Sequence, residues 1–271
     1  MSTVNLSGGR DDDFERFVRR VRERFAIDLG QYKEQQMKRR LTTLRLRRGF
    51  SSFDDYFEAI VRDADLRREF LDRMTINVSE FWRNRVRWER LRDRFIPELL
   101  RQTRQLKCWS AACSTGEEPY TLAMILDEMG VLAGSTLLAT DIDEKALDKA
   151  KEGVYHERSL REVPEIYIAR YFRRVGDEYA VSDKLKRHVR FVRHDLLVDP
   201  FDSRFDLIIC RNVLIYFTEP AKERLYAKFA AALKPGGILF VGSTEQIFQA
   251  RRYGFEPVEN FFYRKEREPQ A

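Results

Sequence analysis

The chain has 271 residues, 43% apolar and 35% charged, with a formal net charge of +6. That length suits two modest domains or one large one, and the apolar share supports a packed core. No apolar run approaches the roughly 20 residues that span a bilayer, and the polar, acidic residues 1–13 do not resemble a signal or transit segment. The three cysteines, Cys108, Cys113 and Cys210, form no CxxC pattern and cannot all pair. They read as reduced, mostly buried thiols of a cytoplasmic protein. His156, His188 and His194 lack metal-ligand spacing, so no metal is expected. The positive charge is uneven: residues 1–104 hold 25 Lys plus Arg against 18 Asp plus Glu, whereas residues 105–271 hold 25 against 26. A basic docking module ahead of a near-neutral one is the natural expectation.

In chain order, a flexible terminus (1–13) leads into a helical domain expected over 14–100. Phe14, Phe17, Val18, Val21 and Phe25 recur at three- and four-residue spacing and define one apolar face. Residues 31–48 predict a second helix with Met37, Leu41 and Leu44 buried and Gly49 at its end. Its flanks are basic, Arg40 and Arg47 on one side, Lys38 and Arg45 on the other. Ser52 with Asp55 makes a capping pair before Phe53, Tyr56, Phe57 and Ile60. Further helices are predicted over 66–73 and through Trp88, Leu91, Phe95 and Leu99, and the polar stretch 101–105 reads as a linker. From Leu106 onward strands and helices alternate, as in a parallel sheet covered on both faces. Strands are predicted at 106–111, 136–140, 189–193, 205–210 and 238–241, with a short last strand at 261–263 after a turn at 254–257. The clearest helix is 220–233, followed by the turn Lys234-Pro235-Gly236-Gly237. The stretch 153–187 is longer than an ordinary crossover and reads as a small insertion in a domain spanning 106–264. Residues 265–271 form a charged tail.

The segment from Trp109 to Tyr120 reads Trp-Ser-Ala-Ala-Cys-Ser-Thr-Gly-Glu-Glu-Pro-Tyr. A buried strand ends at Ala111, a loop of small residues lets a ligand approach the backbone, and Pro119 opens a helix. This is a strand–loop–helix that holds a ligand at the carboxyl end of a strand. A pyrophosphate cradle would use a glycine fingerprint or a GKS/GKT run. Here Glu117 and Glu118 make the crevice acidic, which favours a cation such as the amino group or sulfonium of S-adenosylmethionine (SAM). Asp141 ends the second predicted strand, where a doubly wound fold hydrogen-bonds a ribose hydroxyl pair. Asp143 is the better candidate for capping the helix that follows. Cys113 reads as a space-filling residue, since no activating His lies in a nearby motif.

Five segments carry a resemblance to a known family: Met74-Thr75-Ile76-Asn77-Val78-Ser79-Glu80-Phe81-Trp82-Arg83-Asn84; Ser110 to Tyr120; Ala139-Thr140-Asp141-Ile142-Asp143; Cys210-Arg211-Asn212-Val213-Leu214-Ile215-Tyr216-Phe217; and Lys234-Pro235-Gly236-Gly237. In this order they resemble the CheR family, the chemotaxis receptor methyltransferases, over nearly the whole chain. The resemblance implies an α/β fold: a doubly wound, seven-stranded class I methyltransferase sheet preceded by a small all-helical domain. It also implies methyl transfer from SAM to receptor glutamates, giving glutamate methyl esters and S-adenosylhomocysteine. By position it assigns Arg83 to cofactor and substrate contact, Asn77 and Ser79 to polar cofactor contacts, and Asp195 and Leu196 to the adenine edge, where many members carry Asn rather than Asp. Glu117, Asp141, Asn212 and Val213 complete the expected cofactor set, and Tyr216 is expected to orient the incoming carboxylate. A glutamate is already ionised at neutral pH, so the reaction needs alignment and water exclusion rather than a general base. Arg83 suits the holding role because its fork can grip a carboxylate in bidentate fashion.

Two other readings are weaker. A nucleic-acid methyltransferase fits the basic pI near 9.2, but the usual Pro-Pro loop is missing at 211–216. A silent cofactor-binding regulator is disfavoured by the full set of Arg83, Glu117, Asp141, Asn212 and Tyr216. The expected partner is the cytoplasmic helical domain of methyl-accepting receptors, docked through Lys38, Arg40, Arg45 and Arg47. Some family members tether to a receptor carboxyl-terminal peptide through a glycine-rich β-subdomain. Here that region, 173–181, has one glycine and predicts only a tight hairpin turning at Gly176-Asp177-Glu178, so tether-independent binding is expected.

Overall fold

The computed structural model describes residues 8–25, 27–74 and 79–266. The chain divides into two compact units, Met1–Ile76 with Tyr216–Ala221, and Asn77–Ile215 with Lys222–Ala271.

The first unit is helical: α1 (Gly8–Phe25), α2 (Glu34–Arg47), α3 (Phe53–Arg62) and α4 (Ala64–Met74). The described part of α1 begins at Gly8, ahead of the expected start at Phe14. The apolar stripes converge on one core in which the Phe17 ring lies 5.1 Å from Phe53, 6.0 Å from Tyr56 and 5.8 Å from Phe70. Ser52 caps α3 by accepting from Asp55 N at 3.0 Å. The Asp13 carboxylate accepts from Phe53 N and Asp54 N as well, so two acceptors serve the orphan amides of that helix start. The segment 216–221 completes this unit. Phe217 forms a β-bridge with Tyr32, Lys33 N donates to Tyr216 O at 2.9 Å, and Thr218 N donates to Gln31 O at 2.8 Å.

The second unit is built on ten strands: β1 (Lys107–Ala111), β2 (Thr136–Asp141), β3 (Val154–His156), β4 (Phe172–Val175), β5 (Glu178–Val181), β6 (Val189–Arg193), β7 (Phe205–Cys210), β8 (Leu233–Val241), β9 (Phe255–Glu259) and β10 (Phe262–Lys265). Seven form one sheet in the order β6-β2-β1-β7-β8-β10-β9. Its first five strands are parallel, and β10 pairs antiparallel with both β8 and β9. A central, fully buried β7 explains why Leu207-Ile208-Ile209-Cys210 is an apolar run rather than an alternating one. The predicted turn at 254–257 is instead the start of β9. Pro257 hid it, and the strand tolerates proline because it lies at the sheet edge. The remaining three strands form a small sheet, β3-β5-β4. Its β4–β5 hairpin turns through Gly176 and Asp177, as the sequence suggests, and Gly176 takes the positive φ (61°) the turn needs.

One boundary requires correction. The helix through Trp88 and Leu99 was expected to close the helical domain, with a linker at 101–105. The units divide at 76/77 instead. The reason is packing: α5 (Arg85–Arg90), a wide π-type turn at Leu91–Phe95 and α6 (Ile96–Leu100) lie on the sheet. Trp88 meets Phe240 at 5.6 Å, and Phe95 stacks on Phe262 at 4.3 Å.

Candidate active site

β1, β2, β6, β7 and β8 run parallel, so their carboxyl ends share one edge, the edge at which doubly wound sheets bind ligands. After β1 the chain turns sharply through Ala112, Ser114 and Gly116, all at positive φ. Gly116 has no alternative, since a Cβ there would fall 2.8 Å from Ala150 Cβ. α7 (Glu117–Glu128) then starts two residues before Pro119. Proline is tolerated at this third helical position because the amide it removes would be an orphan. The loop is fixed by Cys113 N donating to Thr140 O at 2.9 Å, Ser114 N to Asp141 Oδ2 at 2.7 Å, and Tyr155 OH to Thr115 O at 2.6 Å. Cys113 is buried, which holds its thiol well above the usual range.

Two carboxylates dominate this end of the sheet. Glu117 is 3% exposed and Asp141 6%. Glu117 accepts from the Thr115 hydroxyl at 2.7 Å and from Ser79. Asp141 accepts from Ser114 N and, at 3.0 Å, from Asp143 N. Burial pushes both carboxyls above their ordinary range. Neither forms an ion pair with a described residue. Lys149 acts on Glu117 through its charge without reaching ion-pair distance; a buried carboxylate held mainly by hydrogen bonds is a poorly compensated charge, and a bound cation would compensate it. Asp143, not Asp141, caps the following α8 (Glu144–Glu152), accepting from Lys145 N and Ala146 N.

Beyond β7, Arg211 is buried. Its Nη2 donates to Arg83 O at 2.8 Å and to Asn84 Oδ1 at 3.0 Å, and its Nη1 lies 3.7 Å from Glu118 Oε2. Glu118 accepts from Ser110 Oγ at 2.8 Å, and burial pushes its carboxyl up to about 7 against the pull of Arg211. Asn212, at φ 60°, donates its amide to Glu245 Oε2 at 2.6 Å; Glu245 also accepts from Gly242 N and Ile215 N.

Two CheR methyltransferase profiles match the chain, the all-alpha domain at residues 12–75 and the SAM binding domain at residues 77–261. The chain belongs to the CheR methyltransferase family. It is similar to a chemotaxis protein methyltransferase of Listeria monocytogenes, 43% identical over 94% of this chain and 98% of that protein. A counterpart from Borreliella burgdorferi is 32% identical, covering 87% of this chain and 88% of its own, and one from Vibrio cholerae is 34% identical, covering 91% and 92%. This chain is therefore a SAM-dependent methyltransferase.

Ser79, Arg83, Glu117, Asp141, Asn212 and Val213 all belong to the second unit. Asp195 and Leu196 lie just past β6, whose Arg193 pairs with Asp141. Asp195 turns its carboxylate onto its own loop, accepting from Leu197 N at 2.8 Å, while Leu196 is buried and its carbonyl accepts from Lys228 Nζ at 2.8 Å. Asn77 lies outside the described residues. Tyr216 belongs to the first unit, where the Arg40 guanidinium sits 4.8 Å from its ring centroid.

The expected docking cations differ in exposure. Arg40 is half-buried, donating to Met74 O at 3.0 Å, and burial lowers its pKa. Arg45 is also half-buried, donating to Phe50 O at 2.7 Å and lying over Phe53. Lys38 rests over Phe14. Arg40 and Arg45 are tied into the fold, so the exposed cations of this helix are Arg39 and Arg47, with Lys33 at its cap. Sequence reasoning also passed over Arg211 and Glu245 and counted Glu118 with Glu117 in the acidic crevice. A charge immediately after the apolar run 207–210 was the available signal for Arg211. Nothing in the spacing marks Glu245.

Proposed function

We propose that this enzyme transfers the methyl group of SAM to glutamate side chains of chemotaxis receptors in the cytoplasm, leaving glutamate methyl esters. The observation that carries the reading is the pair of buried acids, Glu117 and Asp141, neither in an ion pair with a described residue. When bound, SAM supplies an electrophilic methyl on a sulfonium, together with an ammonium group and a ribose diol. Glu117 takes the ammonium side, with Ser79 beside it and Asn77 as a further polar contact. Asp141 accepts from the ribose hydroxyls with the lone pairs its backbone partners leave free. Asp195 and Leu196 border the base, and Asn212 with Val213 flanks the reacting centre. Arg83 holds the acceptor carboxylate in line with the methyl, and the Tyr216 hydroxyl orients it. Because that carboxylate is already ionised, no residue has to remove a proton. Opposite charges disappear during transfer, so a dry, preorganised site favours the step. The helical unit docks the receptor's acidic helices through Lys33, Arg39 and Arg47.

The test is transfer of radiolabelled methyl groups to receptor-bearing membranes, with base lability of the product as proof of an ester. Arg83→Ala should lower the rate far more than it lowers fold stability, and Arg83→Lys should restore it only in part, because an ammonium lacks the planar fork. A base-stable product, or an Arg83→Lys enzyme as active as the parent, would overturn the assignment.

A further inference from the structure

Arg83 stands in an unusual piece of backbone. The residues on either side, Trp82 and Asn84, are at φ 55° and 63°. Left-handed geometry is uncommon outside glycine and is an outlier for a bulky indole. Two such residues flanking one side chain are held only if the surroundings over-determine them. Trp82 is fixed by burial, by contact with Tyr167 at 4.9 Å and by donating its amide to Thr121 Oγ1 at 3.2 Å. The other half of the turn is fixed by Arg211, which bonds both the Arg83 carbonyl and the Asn84 side chain. Ser243 Oγ adds a third contact, to Asn84 Oδ1 at 3.2 Å.

A buried guanidinium is a poor choice for stability alone, because an apolar side chain of similar volume does as well or better. This one lies 4.7 Å from the Phe240 ring centroid and 5.5 Å from that of Trp88, and its Nε is buried without an acceptor among the described residues. Only a planar fork reaches the Arg83 carbonyl and the Asn84 amide oxygen together while facing Glu118. We propose that Arg211 is a positioning residue for methyl transfer, clamping the Trp82–Asn84 turn so that Arg83 meets the acceptor carboxylate, with Glu118 holding the clamp in place. The inference rests on the role assigned to Arg83 above. Glu118 in turn faces Arg211 and Arg83, the Ser110 hydroxyl, Glu245 and the thiols of Cys113 and Cys210.

A double-mutant cycle on the full chain decides it. Arg211→Lys should lower kcat for receptor methylation about tenfold in the parent background. In an Arg83→Ala background it should change the residual rate less than about twofold, since there is no longer a side chain to aim. Asn84→Gly keeps the left-handed backbone and removes only the acceptor, so it supplies the same cycle if Arg211→Lys does not fold. Asn84→Asp, which keeps an acceptor for Arg211, should retain most activity. Thermal midpoints of all variants establish folding. Equal fold-losses in both backgrounds would overturn the clamp alone. A fully active Arg83→Ala enzyme would overturn the Arg83 reading and the clamp with it.

Discussion

Asp141 serves two purposes with one carboxylate. Its oxygens tie down the loop after β1 and the start of α8, and the same carboxylate is the candidate acceptor for a ligand hydroxyl. Asp141→Ala should weaken SAM binding by about 1–3 kcal/mol, the range for losing a hydrogen bond to a charged group; unchanged affinity by calorimetry would remove Asp141 from the ribose site. Glu118 behaves differently. Its carboxyl titrates near 4.5 in the unfolded chain and about 7 in the fold. Between those values the native state holds more protons than the unfolded one, so stability falls as pH rises through that window and levels off above it. Glu118→Gln removes this contribution. Urea midpoints of the SAM-free protein at about pH 5 and pH 7.5 should therefore drop less in the variant than in the parent, and parallel drops would refute the assignment. Residues of this kind mark the limit of sequence reading. Asp141 was legible because an acid ends a strand, and Glu117 because it opens the helix after the loop of small residues. Glu118 was not, because one residue along a helix decides whether a carboxylate faces the ligand edge or a buried arginine.

At the scale of elements, periodicity found most long strands and helices but read residues 234–237 as a turn where β8 runs from Leu233 to Val241, and its failures have physical causes. β3 is only three residues long, β9 carries a proline, and the helix from Arg85 was assigned to the wrong core because an apolar stripe does not say which face it will meet. The same ambiguity separates the cations of α2. Charge reversal at Arg39 and Arg47 should slow association with receptor membranes and flatten its salt dependence while leaving SAM affinity unchanged. Arg45→Ala should instead lower stability by about 1 kcal/mol through loss of its bond to Phe50 O. If the exposed variants associated at the parent rate, docking would have to be sought elsewhere. The β4–β5 hairpin carries the other docking question. Its turn has two residues and one glycine. Titration with a receptor carboxyl-terminal pentapeptide should give no binding in the micromolar range; saturation mapped to residues 171–187 would reverse that expectation.

At the scale of the whole molecule, the charge asymmetry and the order of motifs were enough to anticipate a basic helical part ahead of an α/β part. The partition itself was not legible, because the first unit is discontinuous. Its last piece, Tyr216–Ala221, is encoded about 140 residues after Ile76. No local pattern around Phe217 announces that its bridge partner is Tyr32. A fragment ending at residue 76 should therefore have a lower denaturant midpoint than the same fragment joined by a flexible linker to residues 214–222; equal midpoints would mean the added strand contributes nothing to that fold. On the ribosome the consequence is one of timing. At about 5–20 residues per second, roughly 7 to 28 seconds separate the emergence of Ile76 from that of Tyr216. Throughout that interval the nascent helical unit lacks the strand that bridges Tyr32, a vectorial delay that leaves the part of this chain made first incomplete until residues 216–221 have emerged.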